Sequence, residues 1–207
     1  MGQSSKNFQD QQIMATLVFA TNNINKIKEV KSLLTDNFNI QTLSDAGINI
    51  DIAEPYDTLE KNAVEKARVI YKSTGHDCFA EDTGLEVDTL NGEPGVKSAR
   101  YAGEEKSFEN NINKLLLKLK NKQDRTASFK TVICLIINGS QILFEGICKG
   151  TIIAHRRGEM GFGYDSIFIP DGADKTFAEM FLWEKNNFSH RKKAVEKLIE
   201  YLKSLGN

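Results

Sequence analysis

Three cysteines, three prolines and one tryptophan in 207 residues exclude several architectures at once. Cys78, Cys134 and Cys148 form no C-x-x-C pair, and His76, His155 and His190 lie far apart. A disulfide framework and a structural zinc site are therefore excluded. Cys134 and Cys148 sit in β-branched apolar runs, where a thiol acts as inert filler. The longest aliphatic run, Val132 to Ile137, is far short of the ~18 apolar residues that span a bilayer. Residues 1–13 lack the basic start and apolar stretch of a secretory signal. The Met-Gly start carries Lys6 where myristoylation requires Ser or Thr. Excess charge is missing too: Lys+Arg 27 against Asp+Glu 28 leaves a net charge of −1, which excludes bulk attraction to nucleic acid. These absences predict a cytoplasmic protein with neither a membrane nor a nucleic-acid partner.

What is present is globular. Apolar residues make up 40% of the chain, and no repeat, low-complexity block or Pro-rich linker divides it. The expected organisation is a polar extension over 1–13 followed by one domain over 14–207. Residues 15–20 read as a buried strand that ends at a polar turn. Ile27, Val30, Leu33 and Leu34 recur at helical spacing, with Asn22, Asn23 or Asn25 available as N-cap. A second helix follows Thr58, with Asp57 and Glu60 spaced as a capping box and Gly75 as its stop. Cys78 to Ala80 reads as a strand, and Phe108, Ile112, Leu115, Leu116 and Leu119 as the apolar stripe of a third helix. Two β-rich stretches, 129–137 and 141–153, flank Asn138-Gly139, a strong hairpin signal. A last helix begins near Ser189. The pattern predicts an α/β fold with a mixed sheet.

Four segments carry chemistry. Thr21-Asn22-Asn23-Ile24-Asn25-Lys26 turns from strand to helix, so free backbone N–H groups and the helix dipole suit a phosphate, with Lys26 adding charge. Neither a Walker loop nor a G-x-G-x-x-G fingerprint is present. Glu81-Asp82-Thr83-Gly84 follows an apolar run, placing two carboxylates at the expected strand end, where they suit a general base or a divalent metal. Oxygen ligands and a phosphate substrate favour Mg²⁺, with Glu54 as the partner carboxylate. Asp-Thr-Gly is also an aspartic-protease signature, but Glu81 stands where an apolar residue is required and no second copy occurs. In Gly161 to Asp165 two glycines admit close backbone approach, and Phe162 offers a stacking face for a base. Lys185 and Ser189-His190-Arg191-Lys192-Lys193 place cations at a helix start, against the macrodipole, which an anionic or keto-bearing ligand would explain. Together these describe a nucleotide polyphosphate site.

TNNINK (21–26), EDTGLEVDTLNGEPGVKSARYAG (81–103), GFGYDSIF (161–168) and EKNNFSHR (184–191), in this order, resemble the inosine/xanthosine triphosphate pyrophosphatases. The resemblance runs from about Met14 to the last helix. It implies an elongated mixed twisted sheet with flanking helices, two lobes around a central cleft, a homodimer and Mg²⁺ dependence. It further implies that Thr21, Asn22, Asn23, Ile24, Asn25 and Lys26 hold the phosphates, and that Asp82 binds Mg²⁺ and takes a proton from the attacking water. Thr83 would touch substrate; Phe162, Gly163, Tyr164 and Asp165 would cradle base and sugar; Lys185, His190 and Arg191 would complete the pocket. The run Met180 to Trp183 stands where the family has a more polar stretch. A nucleotide-binding sensor without catalysis is the rival reading of the same residues.

Overall fold

The computed structural model describes residues 16–33, 39–50 and 52–205. The extension 1–13, Met14 and Leu34 lie outside them. The elements are β1 (Thr16–Phe19), α1 (Ile24–Lys31), β2 (Asn39–Thr42), α2 (Leu59–Thr74), β3 (Cys78–Val87), β4 (Pro94–Gly95), α3 (Phe108–Lys118), β5 (Thr126–Ile137), β6 (Ser140–Ile152), β7 (Phe168–Pro170), α4 (Leu182–Lys185) and α5 (His190–Leu205). Seven strands form one sheet in the order β2-β1-β3-β5-β6-β7, with β4 paired to β3. β2, β1 and β3 run parallel, while β3, β5, β6 and β7 are antiparallel neighbours. The sheet is therefore mixed, as expected.

Local chemistry accounts for the elements. Asn23 caps α1, its Oδ1 accepting from the Asn25 and Lys26 amides at 3.0 and 3.2 Å. The capping box expected at Asp57 and Glu60 is not the cap of α2. Thr58 occupies that place and accepts from Lys61 N at 3.2 Å, since its extended backbone (φ −133°, ψ 148°) aims the hydroxyl at the free amides. Gly75 ends α2 in the left-handed conformation. Asn138 and Gly139 both take positive φ, 49° and 76°, the backbone that a two-residue turn between twisted strands requires.

Three apolar clusters sit around the sheet. Leu17, Phe19, Val30 and Phe79 pack with Val195 and Leu198 of α5 on one face; Phe19 and Phe79 stack at 4.4 Å. On the opposite face Val18, Cys78, Ala80, Val132 and Cys134 pack against Ala63, Ala67 and Ile70 of α2. Burial pushes the Cys78 and Cys134 thiols up to about 12. The third cluster lies at the other end of the hairpin, where Leu85, Val87, Phe129 and Phe168 meet Ile112, Leu115 and Leu119 of α3. Met180 is buried in the third cluster, whereas Phe181 and Trp183 beside it are exposed.

The site lies where the pairing changes. β1 pairs with β3 only through Val18↔Cys78 and Phe19↔Phe79, while β4 joins the same edge of β3 at Leu85 and Glu86. Between Phe79 and Leu85 that edge has no strand among the described residues, and the gap is the cleft.

Candidate active site

Strand alternation decides what the two neighbouring carboxylates do. The sequence placed Glu81 and Asp82 at a strand end, but β3 continues to Val87 because β5 pairs with it along its whole length, Cys78↔Ile136 to Val87↔Ala127. Inside a strand the adjacent side chains leave on opposite faces, so the two acids do not share a site. Glu81 turns toward α5, where Arg191 Nε donates to both its oxygens at 3.0 and 2.9 Å and Lys26 Nζ stands 3.3 Å away. Burial opposes its ionisation, but Arg191 and Lys26 outweigh this and hold the carboxyl down to about 2. Asp82 turns toward α2, where Lys66 Nζ donates to Oδ1 at 2.8 Å and Asn62 Nδ2 to Oδ2 at 3.4 Å. Burial raises the Asp82 carboxyl above its ordinary value, with Glu54 adding to the effect, against the pull of Lys66 and Lys26. A buried carboxylate with raised proton affinity is equipped to accept a proton.

Lys66 joins Asp82 to Glu54, since its Nζ also donates to Glu54 Oε1 at 2.8 Å. Arg100 donates to the other Glu54 oxygen at 2.8 Å. Burial again opposes ionisation, and Lys66 and Arg100 hold Glu54 down to about 2. Two carboxylates from separate segments thus converge on one ammonium. Hard oxygen donors in such a pair fit a divalent cation that keeps waters and substrate oxygens as its other ligands. Among the described residues no group of three or more acidic, His or Cys side chains could enclose a metal.

At the other side of the gap lies a buried ion cluster. Lys185 donates to Glu29 Oε1 at 2.8 Å and to Asp165 Oδ2 at 2.6 Å. Arg191, 1% exposed, also pairs with Glu29 and donates to Thr83 Oγ1 at 3.3 Å. The cations at the start of α5 therefore need no ligand to explain them, contrary to the expectation from the macrodipole. Glu29 and Glu81 neutralise Arg191, and Lys193, exposed on the outer side, donates to Ile147 O at 2.8 Å. His190 stacks on Phe129 at 4.7 Å. Burial, then Arg191 and Lys185, drive its pKa well below 6.5, so the ring is neutral. Its Nδ1 is buried without a hydrogen-bond partner, a group that a ligand in the cleft would satisfy.

Most sequence-predicted residues meet in this one cleft. Thr21, Asn22, Asn23, Lys26, Glu54, Asp82, Thr83, Phe162, Gly163, Tyr164, Asp165, Lys185, His190 and Arg191 all line it. Ile24 and Asn25 do not, and Ile24 is largely exposed. The amides expected to be free in the first turn are partly taken: Asn23 N donates to Thr21 Oγ1 at 3.2 Å, and Asn25 N and Lys26 N to Asn23. Gly163 adopts φ 60°, which bends the chain so that Phe162 faces the cleft. Tyr164 is buried and donates its hydroxyl proton to Ser98 O at 2.9 Å, tying this turn to the segment after β4. The sequence reading missed Glu29, Asn62, Lys66 and Arg100. Asn62 and Lys66 recur on the same stripe of α2 as Leu59, Ala63, Ala67 and Ile70. Polar groups on a core face need partners, and that was the available signal.

An α/β fold whose sheet opens into a cleft walled by paired charges at one side and by Phe162 and His190 at the other defines a protein built for a charged aromatic ligand. Residues 17–201 match the Ham1 family, and the chain belongs to that family. The dITP/XTP pyrophosphatase of Flavobacterium psychrophilum is 53% identical over 188 residues, covering 91% of this chain and 99% of that protein. The dITP/XTP pyrophosphatase of Bacillus subtilis is 42% identical over 196 residues, 93% of this chain and 99% of its own length. The HAM1 protein structure from Coxiella burnetii superposes with a TM-score of 0.85 at 37% identity, covering 92% of this chain and all of that one (100%). The resemblance carried by the four motifs is thereby borne out.

Proposed function

We propose that this chain hydrolyses deaminated purine nucleoside triphosphates, dITP, ITP and XTP, to the monophosphate and pyrophosphate, clearing them from the nucleotide pool. One observation carries the reading beyond family membership: Asp82, buried with raised proton affinity, lies in the sheet gap between a cation-lined side and an aromatic, donor-rich side. Triphosphate lies toward Lys26, Lys66 and Arg100, each of which exchanges part of its carboxylate pairing for phosphate oxygen. Asp82 takes a proton from the water that attacks near the α-phosphate, and pyrophosphate leaves. Most of the rate gain is positioning and charge stabilisation. Asp82 and Glu54 are the residues that would hold Mg²⁺, which when bound neutralises charge on the triphosphate.

Base selection follows from the donor arrangement. Arg191 and Lys185 are donors only, and Glu29, Glu81 and Asp165 already accept from them. A 6-keto oxygen is satisfied there, whereas an exocyclic amino group faces donors whose own acceptors are already engaged. Mismatches of this kind discriminate by up to ~10⁴ or more, which disfavours adenine at position 6. A homodimer and a cytoplasmic setting belong to the same reading; no described helix is long and apolar enough to cross a membrane.

The test is pyrophosphate release from ITP, XTP, dITP, GTP and ATP at equal concentration, with and without Mg²⁺. Fast, Mg²⁺-dependent release from the first three with GTP and ATP slow is the expected result. Binding of ITP with no release from any of the five would leave a sensor and overturn the enzymatic reading.

A further inference from the structure

Phe108 does not follow its own helix. Spacing puts it on the stripe of α3 that carries Ile112 and Leu115, which are 5% and 0% exposed, yet Phe108 is 45% exposed. The first turn of α3 overhangs the cleft, so the apolar position nearest its start lines the cleft mouth instead of the core. There its ring centre lies 6.2 Å from that of Phe162, with the planes tilted by 48°. Phe162 in turn has Lys185 Nζ 5.3 Å and the Arg191 guanidinium 5.7 Å from its ring centre.

This placement is anchored through the backbone. Ser107 caps the helix, accepting from Asn110 N at 3.2 Å. Buried Asn111 accepts from Ala102 N at 2.7 Å and donates to Ala99 O at 2.9 Å, which ties the first turn to the segment after β4. Arg156 donates to Glu109 O at 3.3 Å and Asn113 Oδ1 at 2.8 Å, which ties it to the connection after β6. A large apolar ring is thus held half in water, on a fixed support, beside the ring that carries the base.

We propose that Phe108 is a further substrate-contacting residue, supplying a second aromatic contact to the nucleobase stacked on Phe162. The tilt rules out a parallel sandwich and gives an edge contact, a favoured arrangement of aromatic rings. The base stacked on Phe162, on the β6-to-β7 connection, then meets the Phe108 ring of α3 at its edge. The proposal rests on the pyrophosphatase reading and deepens it.

The experiment compares the wild-type chain with Phe108→Ala and Phe108→Tyr, using ITP as substrate and inorganic tripolyphosphate, which has no base, as competitor. Aromatic contacts to bases are worth enough that loss of this one raises KM for ITP on the order of tenfold. In the same variant kcat and the inhibition constant of tripolyphosphate stay within about twofold, and Phe108→Tyr restores KM. An unchanged KM in Phe108→Ala overturns the proposal, as does a parallel weakening of ITP and tripolyphosphate, which would mark a structural effect on the cleft. Absence of turnover by the wild-type chain counts against the pyrophosphatase reading alone. Calorimetric affinities for ITP and tripolyphosphate in the same three proteins then decide the role of Phe108 by the same comparison.

Discussion

The ammonium of Lys66 lies 2.8 Å from Oδ1 of Asp82, and both side chains are buried within the cleft. The pair holds the carboxylate in place without removing its proton affinity, because burial, with Glu54 adding to it, outweighs the pull of the neighbouring lysines. Asp82→Asn keeps the size and loses the base. Pyrophosphate release from ITP is expected to fall roughly 10²–10⁴-fold, while calorimetry finds ITP still bound. Undiminished turnover would remove Asp82 from the chemistry.

Arg191 is enclosed by Glu81 and Glu29, so removal of one acid leaves a buried guanidinium only partly compensated. Glu81→Gln is expected to cost about 3–5 kcal/mol in urea unfolding. Glu196→Gln, which breaks the exposed pair with Lys192 on the outer face of α5, should cost at most about 0.5 kcal/mol. Equal losses in the two variants would contradict the account of the cluster.

His190 sets a pH dependence. Burial keeps its folded pKa well below 6.5, while the unfolded chain protonates it near the ordinary value. As pH falls through 6.5 the unfolded state gains a proton that the folded state refuses, so stability drops; above 6.5 the effect vanishes. The slope approaches about 1.4 kcal/mol per pH unit. Unfolding midpoints between pH 7.5 and 5.5 should show this decline, and His190→Phe should flatten it. An unchanged slope in the variant would refute a neutral buried imidazole.

Gly146 of β6 lies against the start of α5, where an added Cβ would stand 2.1 Å from His190 O and 2.6 Å from Ala194 N. Gly146→Ala must push the first turn of α5 off the sheet, costing about 1–3 kcal/mol. Because that turn carries His190 and Arg191, ITP affinity should fall together with thermal stability. Wild-type affinity in a destabilised variant would show that the turn's position does not matter to the ligand.

Much of this was legible in the chain. The hairpin at Asn138-Gly139, the stop at Gly75 and the stripes of α2, α3 and α5 depend on neighbours within a few residues, and local periodicity reports them faithfully. The four motifs likewise marked the turns that reach the cleft. Phe108 shows where periodicity ends: its stripe position is correct, but whether that stripe meets core or solvent depends on where the helix sits over the sheet.

The pairings were decided elsewhere. In sequence Glu81 and Asp82 are neighbours that ought to repel or share a metal, and β5 pairing along β3 keeps them in a strand whose alternation sends one to Arg191 and the other to Lys66. Arg191 and Glu29 are separated by 162 positions, and Lys185 and Glu29 by 156, distances over which no local pattern operates. The sequence by itself determined the elements, the cleft-forming segments and the kinds of chemical group available. Only the tertiary structure decided which charge neutralises which, because β1 and β4 leave the same edge of β3 open between Phe79 and Leu85, and the helices on both faces supply their cations to that gap.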